Sequence, residues 1–277
     1  MESKNMSYAF QVEYQNQLID ANENQNINKD INKDILEVVN NNIDEIKTWG
    51  NTHVKELTSS GKNCKAMYFK TQYPGMLIGT GYPHQTGKMT GEIQVGFSFD
   101  YVTGAPYYPG SSLKGIIRDV FEQAVKNDLY LEYFKQVLGN ENLESRNKLT
   151  DSINHIFGQK NDEEMEGMIS VGGDIFYGAY VVGFDENIIG LDTITPHGTD
   201  LTKNPVPINM LRIMPDVTLA VVIDIIKDEE LEKTIFNCDN RRKLYQRIIE
   251  DFGIGAKRNV GYGNVVMKKE QEEEKNE

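Results

Sequence analysis

The apolar positions of this chain change period several times, and each change marks an element. Between residues 27 and 46 they recur about every fourth position, at Ile27, Ile31, Ile35, Val39, Ile43 and Ile46. That spacing draws one apolar stripe along a helix, expected to end near Trp49 and Gly50. The run KAMYFKTQ (Lys65–Gln72) alternates and is rich in aromatics, so it predicts a strand. A glycine-rich connection leads to a second strand in IQVGFSFDYV (Ile93–Val102). In PYYPGSSLKGIIRDVFEQAV the positions Leu113, Ile116, Ile117, Val120, Phe121, Ala124 and Val125 keep the helical period. Ser111 or Ser112 is placed to cap that helix. Further helical stretches are expected to reach Gly139 and the HIFG run (His155–Gly158). Strands follow in MISVGGDIFYGAYVVG, around Val206–Ile213 and in Val217–Ile226, then a helix over Glu229–Phe252 and a closing strand over Asn259–Met267.

Beyond residue 70 the order reduces to strand, helix, strand, strand, helix, strand, with large insertions. This predicts an α+β fold with a ferredoxin-like (RRM-like, split βαβ) core and an N-terminal helical extension. Residues 1–26 are polar, rich in Asn and Gln and without a sustained period, and read as a mobile arm. The expected division is a polar arm and amphipathic helix over 1–64, the core domain over 65–268 and an acidic tail over 269–277.

Composition narrows the chemistry. With 277 residues, 39% of them hydrophobic, the chain can bury a sizeable core. No stretch of about eighteen apolar residues occurs, and no secretory signal is visible, so a cytoplasmic location with no membrane partner is expected. The two cysteines, Cys64 and Cys238, are far apart, and His53, His84, His155 and His197 lack metal-ligand spacing. Neither a metal nor another cofactor is expected. The net charge of −13 disfavours a polyanion globally, yet the charge is segregated. From Lys62 to Arg118 six cations (Lys62, Lys65, Lys70, Lys88, Lys114, Arg118) face only Glu92 and Asp100. From Arg241 to Arg258 another six face only Glu250 and Asp251. Such segregation can steer a polyanion to one face.

Two segments carry anion-binding character. GIGAKRNVGYG (Gly253–Gly263) holds four glycines around Lys257 and Arg258. Glycines permit positive φ and close approach to backbone amides, which together form an anion nest. PGSSLKG offers the orphan amides of a helix start, with Lys114 and, one turn on, Arg118 to add charge. Three enzyme or motif readings fail. SSLK matches S-x-x-K, but no K-T-G strand accompanies it. Neither glycine cluster supplies a nucleotide-phosphate loop. GYGNV mimics part of an RNP1 pattern but lacks its basic and aromatic positions.

Taken in order, PYYPGSSLKGIIRD, HIFG and GIGAKRNVGYG resemble the signature segments of the RAMP superfamily of CRISPR-associated proteins. LDTITPHGTD (Leu191–Asp200) and NPVPINMLRIMPD (Asn204–Asp216) are similar, within it, to the sixth-subunit family of the Cmr, or type III-B, RNA-silencing complex. The resemblance implies a non-catalytic subunit that holds the 3′ part of a guide RNA and its paired target RNA beside other Cmr RAMP subunits. The expected RNA-binding residues are Gly110, Ser111, Ser112, Lys114, Arg118, His84, Lys88, Gly255, Lys257, Arg258, Asn259 and Tyr262. The RNA-cutting sibling uses an aspartate in an early loop; here Thr71–Gly91 has no acidic residue, so no divalent metal can be held there. Two alternatives stay open: a metal-independent guide-processing endonuclease relying on His84, and a RAMP subunit of the related type III-A complex. His197 is read as positional or RNA-contacting.

Overall fold

The computed structural model describes residues 5–20, 29–61, 63–78, 92–95, 97–140, 146–158, 173–195 and 207–268. The chain opens with α1 (Met6–Tyr8), a π-helical turn (Ala9–Glu13) and α2 (Tyr14–Asp20), followed by α3 (Lys29–Asn41) and α4 (Ile43–Ser60). Next come β1 (Cys64–Thr71), β2 (Ile93–Val95), β3 (Tyr107–Pro109), α5 (Gly110–Lys126), α6 (Asp128–Leu138) and α7 (Arg146–Phe157). The rest is β4 (Ile175–Gly183), β5 (Ile189–Ile194), β6 (Ile208–Ile213), β7 (Thr218–Asp224), α8 (Glu229–Glu232), α9 (Cys238–Phe252) and β8 (Val265–Met267).

Five strands form an antiparallel sheet in the order β3-β4-β7-β1-β8. The crossover from β1 through α5 to β4 skips β7, and that from β7 through α9 to β8 skips β1. Each crossover is therefore a split βαβ unit. The insertion between β4 and β7 builds β5 and β6, which join β2 in a second, three-stranded sheet.

The central strand β7 is buried from Thr218 to Ile223. Its odd-numbered side chains, Leu219, Val221 and Ile223, share a core with Met67 and Phe69 of β1 and with α5 and α9. Ala220 and Val222 point the other way, to Tyr180, Val182 and Val54 of α4. Alternation along a strand that is apolar on both faces requires a cover on each side. On the second face that cover is α4. A Cβ at Gly50 would lie 2.0 Å from Val181 O, so only glycine lets the helix approach so closely. Beside it Asn51 Nδ2 donates to Val182 O at 3.0 Å, and the stacked pair Trp49–His53 meets Tyr180 edge-on. The first face is filled by Leu113, Ile117, Val120, Phe121 and Ala124 of α5. The Phe121 ring reaches Phe134, Phe157, Phe236 and Tyr245 at centroid distances of 4.8 to 6.1 Å.

A buried polar knot ties the start of β4 to α9. The Asp174 carboxylate accepts from the Arg241 guanidinium, from Tyr245 Oη at 2.6 Å and from Ile226 N at 2.9 Å. Burial pushes the Asp174 carboxyl upward, against the Arg241 charge and these donors. Removing one partner would strand the other's charge in the core, which is why such pairs are costly to break singly.

Several elements differ from the sequence expectation. The expected mobile arm is helical from Met6 to Asp20. Met6, Phe10, Tyr14 and Leu18 are buried at every fourth residue, with Ala9 beside them, inside a polar composition. Phe10 stacks on Tyr14 and meets Phe99, both at 5.8 Å, while Tyr14 Oη donates to Asn32 and accepts from Ile93 N. The isoleucine stripe is split at Asn42 into α3 and α4, and α4 runs past Gly50 to Ser60. The expected helix over Glu229–Phe252 breaks before α9, where Asn237 caps by accepting from Asn240 N at 3.0 Å. The closing strand begins only at Val265, because a 3-10 turn occupies Arg258–Val260.

If the N-terminal helix is part of the core, Phe10→Ala should cost about 3–5 kcal/mol in denaturant unfolding. A parent-like midpoint would place that helix outside the cooperative fold.

Candidate nucleic-acid interface

The start of α5 is set by packing and not by a side-chain cap. Pro109 stands at the N-cap without a capping hydrogen bond, and Gly110 begins the helix. A Cβ at Gly110 would lie 1.8 Å from Phe176 O, so glycine is required for the helix to start against β4. Ser111 and Ser112 lie within the first turn, which corrects the expectation that one of them caps it. The orphan amides of that turn carry the positive end of the helix dipole.

The two sides of α5 face different spaces. Ser112, Gly115 and Asp119 line a cleft of about 410 Å³ whose opposite wall is Gly255, Ala256 and Arg258 of the glycine-rich loop. Gly110, Ser111 and Lys114 line a second cavity of about 600 Å³, with Gly158, Gly173 and Asp174. Thus Ser112, Gly255 and Arg258 converge, and Ser111 and Lys114 do not join them. Gly115 has no heavy atom within 4 Å of where its Cβ would be. A mid-helix glycine costs roughly 0.5–1 kcal/mol relative to alanine, and no contact among the described residues accounts for this one.

The glycine-rich loop answers a backbone demand first. Gly253, Gly255, Gly261 and Gly263 all have positive φ. Cβ atoms at Gly255 and Gly263 would lie 2.3 Å from Leu77 O and 1.9 Å from Ile254 O. The amides of the loop are largely committed: Ile254 N to Gly263 O, Ala256 N to Leu77 O, Gly263 N to Gly75 O and Gly255 N to the Tyr108 hydroxyl. The glycines therefore interlock the loop with the chain after β1, and the open nest expected from their density is closed over most of its length. What the interlock leaves outside is a cationic tip. Lys257 is exposed and held in the left-handed region at φ 55, a conformation that costs a side-chain-bearing residue energy. Asn259 is exposed on the following 3-10 turn, and Arg258 Nη1 donates to Phe252 O at 3.1 Å.

Other expected positions are spoken for. Tyr262 is buried, its hydroxyl donating to Asp192 Oδ2 at 2.6 Å, and burial followed by that carboxylate pushes its pKa up to about 12. Its role is to pin the loop to the second sheet, with Arg212 Nη1 on the same Asp192 oxygen at 3.1 Å. Arg118 is paired with Glu122 at 2.8 Å. Much of the expected cation segregation is likewise consumed: Lys70 by Asp185 and Asp216, Arg241 by Asp174, Arg247 by Glu250 and Asp251. Among the described residues Lys114 and Lys257 make no ion pair. His84, Lys88 and His197 lie outside the described residues. Sequence reasoning missed Tyr108, whose hydroxyl receives the Gly255 amide, and Asp119, which brings an acceptor to the cleft. Nothing in their local pattern separated them from an ordinary strand and helix.

Among the described residues, no helix is long and apolar enough to cross a membrane, and no three His, Cys, Asp or Glu residues gather as a metal site would require.

Comparison with known proteins bears on this arrangement. A family model described as the RAMP superfamily matches residues 68–266. The chain is 26% identical to CRISPR system Cmr subunit Cmr6 of Pyrococcus furiosus, over 59% of this chain and 58% of that protein. It is 30% identical to CRISPR system CMR subunit Cmr6 of Saccharolobus solfataricus, over 60% of this chain and 46% of that protein. The chain thus spans about half the length of the curated relatives it matches. A chain in a cryo-EM structure of the type III-B Cmr-beta complex bound to cognate target RNA aligns with a TM-score of 0.54 and 26% identity, covering 86% of this chain and 71% of that one.

The geometry separates cap, strain and charge. Replacing Ser111 and Ser112 together by alanine should change stability by no more than about 0.5 kcal/mol. Gly263→Ala should destabilise by more than about 1 kcal/mol, whereas Lys257→Gly should stabilise by roughly 1 kcal/mol by relieving the left-handed residue. Thermal melts of the three variants check this; a double-serine loss above about 1 kcal/mol would restore the cap.

Proposed function

The chain belongs to the RAMP superfamily, and from that premise we propose that it is a Cmr6-like, RNA-holding subunit of a type III-B CRISPR effector complex. In this role it holds the 3′ part of a guide RNA and its paired target, beside other RAMP subunits, and performs no catalysis. The observation that carries the reading is the convergence of the first turn of α5 with the cationic tip of the glycine-rich loop around one cleft. Ser112 in the first turn of α5 and Arg258 on the facing wall form a track for a phosphate backbone. The open space over Gly115 lets a polymer backbone come close, and the Asp119 carboxylate can accept from a ribose hydroxyl.

The fold supports the same placement by exclusion. An RRM reads single-stranded RNA by stacking bases on the open face of its sheet. Here α4 covers that face, with Gly50 against Val181 and Trp49 beside Tyr180. In this reading RNA is received instead at the cleft where α5 and the loop meet. The absence of any acidic residue from Thr71 to Gly91 supports a subunit that holds RNA without cutting it.

Pull-down of the chain from its host should recover guide RNA and RAMP subunits, and purified chain should leave repeat RNA intact with or without magnesium. Lys257→Gly and Arg258→Ala should each weaken single-stranded RNA binding nearly uniformly across sequences and flatten the log–log salt slope by about 0.7 per lost contact. Slopes identical to the parent in both variants would remove this cleft from the interface. Cleavage of repeat RNA abolished in His84→Ala would favour the processing-enzyme alternative instead.

A further inference from the structure

The turn that carries Tyr73 plays no part in the site described above, and it is built to present one side chain. Tyr73 is 82% exposed. The backbone around it is fixed: Gln72 N donates to Asn264 O at 2.9 Å, Gly75 N to Gln72 O at 2.7 Å, and Gly263 N to Gly75 O at 2.8 Å. The Arg212 guanidinium donates to Pro74 O and is held in turn by Asp192. Gly75, at φ 112, packs its backbone against Ile213 O. The ring is thus displayed from a rigid turn.

That turn abuts the cationic tip. A Cβ at Gly261 would lie 3.8 Å from Pro74 Cδ, so the residue that follows the Arg258–Val260 turn lies against the proline next to Tyr73. Val260 is 67% exposed, and Lys257 opens the same turn. Asp192, the carboxylate beneath, is committed to Arg212 and Tyr262.

A single exposed aromatic is ordinary. A rigidly presented one beside an exposed apolar residue and an ion-pair-free lysine has the parts of a single-strand binding platform, where a base stacks on the ring and a cation meets the phosphate. We propose that Tyr73 is a base-stacking position for an unpaired nucleotide of single-stranded RNA, with Val260 at the edge of the platform and Lys257 on the adjoining phosphate. This rests on the RNA-holding reading above and extends it from phosphate to base. Stacking tolerates sequence, because every base has a π-face, so the position grips RNA without selecting a base. The cationic and polar surroundings (Lys257, Arg258, Asn259) favour RNA over a protein partner at this turn.

The test uses the full chain and fluorescein-labelled single-stranded RNA, in a normal form and in a form whose central nucleotides are abasic. Tyr73→Ala should keep the parent melting temperature, weaken binding of the normal strand about 5- to 150-fold and leave the salt slope unchanged. Tyr73→Phe should bind like the parent. The parent should lose a similar factor on the abasic strand, where Tyr73→Ala should lose nothing more. Parent-like binding by Tyr73→Ala, while Lys257→Gly binds weakly, would overturn the stacking role and leave the RNA reading standing. Parent-like binding by both variants would overturn both. An equal loss by Tyr73→Ala on normal and abasic strands would show an effect on the backbone path, and would also overturn stacking.

Discussion

The constraint on which the rest depends is that β7 is buried on both faces. Leu219, Val221 and Ile223 need one apolar cover, and Ala220 and Val222 need another. The first is supplied by the two crossover helices of the split βαβ core. The second has no source within that core, and the segment before β1 provides it as α4. Once α4 lies there, with the Gly50 backbone against Val181 O, the flat face of the sheet is closed to ligands. A ligand would then have to meet the protein away from that face. One place left open is the cleft between the start of α5 and the glycine-rich loop.

At that cleft, the glycine-rich loop shows how a structural requirement can leave a cationic surface. Its glycines are needed where the backbone passes within contact of Leu77 O and Ile254 O. The amides around them bond inward, to Leu77, Gly75 and Tyr108. This rigidity forces the intervening residues outward into a tight 3-10 turn. Lys257 enters that turn in a left-handed conformation that asparagine or glycine would adopt more cheaply. A lysine held at such a position, with no ion pair among the described residues, is a cation kept in place at some cost to stability.

The main sheet was legible because its strands and covering helices announce themselves by period. Phe69 and Met67 alternate with Lys70 and Tyr68, and Leu113, Ile117 and Phe121 keep the helical spacing. The N-terminal helix was hidden because its buried apolar positions, Met6, Ala9, Phe10, Tyr14 and Leu18, are interspersed with Gln, Asn and Glu, and their partners, Phe99 and Asn32, are distant in sequence. For the site, residue types were legible and directions were not. Ser111 and Ser112 look alike in sequence, yet the helical rotation between them sends one to each side of α5. Tyr262 looked available beside two glycines, and its ring turns inward because Asp192, on an unforeseen strand, takes its hydroxyl. Cation counting failed in the same way, since a count along the chain does not see Asp216 beside Lys70 or Asp174 beside Arg241.

That last point bears on how an acidic chain can hold a polyanion. The net charge of −13 belongs to the whole chain, and charges farther than a Debye length of about 8–10 Å are largely screened. A phosphate at the cleft would sense the local set: Arg258 on one wall, Lys257 next to it in the chain, and Asp119 on the facing wall. That set is small, because folding has already used Arg241, Arg247, Arg118 and Lys70. So few cations give a modest electrostatic grip that salt erodes. Under the RNA-holding reading, the remaining hold comes from shape, from stacking and from neighbouring subunits that continue the track. An acidic surface elsewhere then helps, since it discourages RNA from settling on any face except the one the fold leaves cationic.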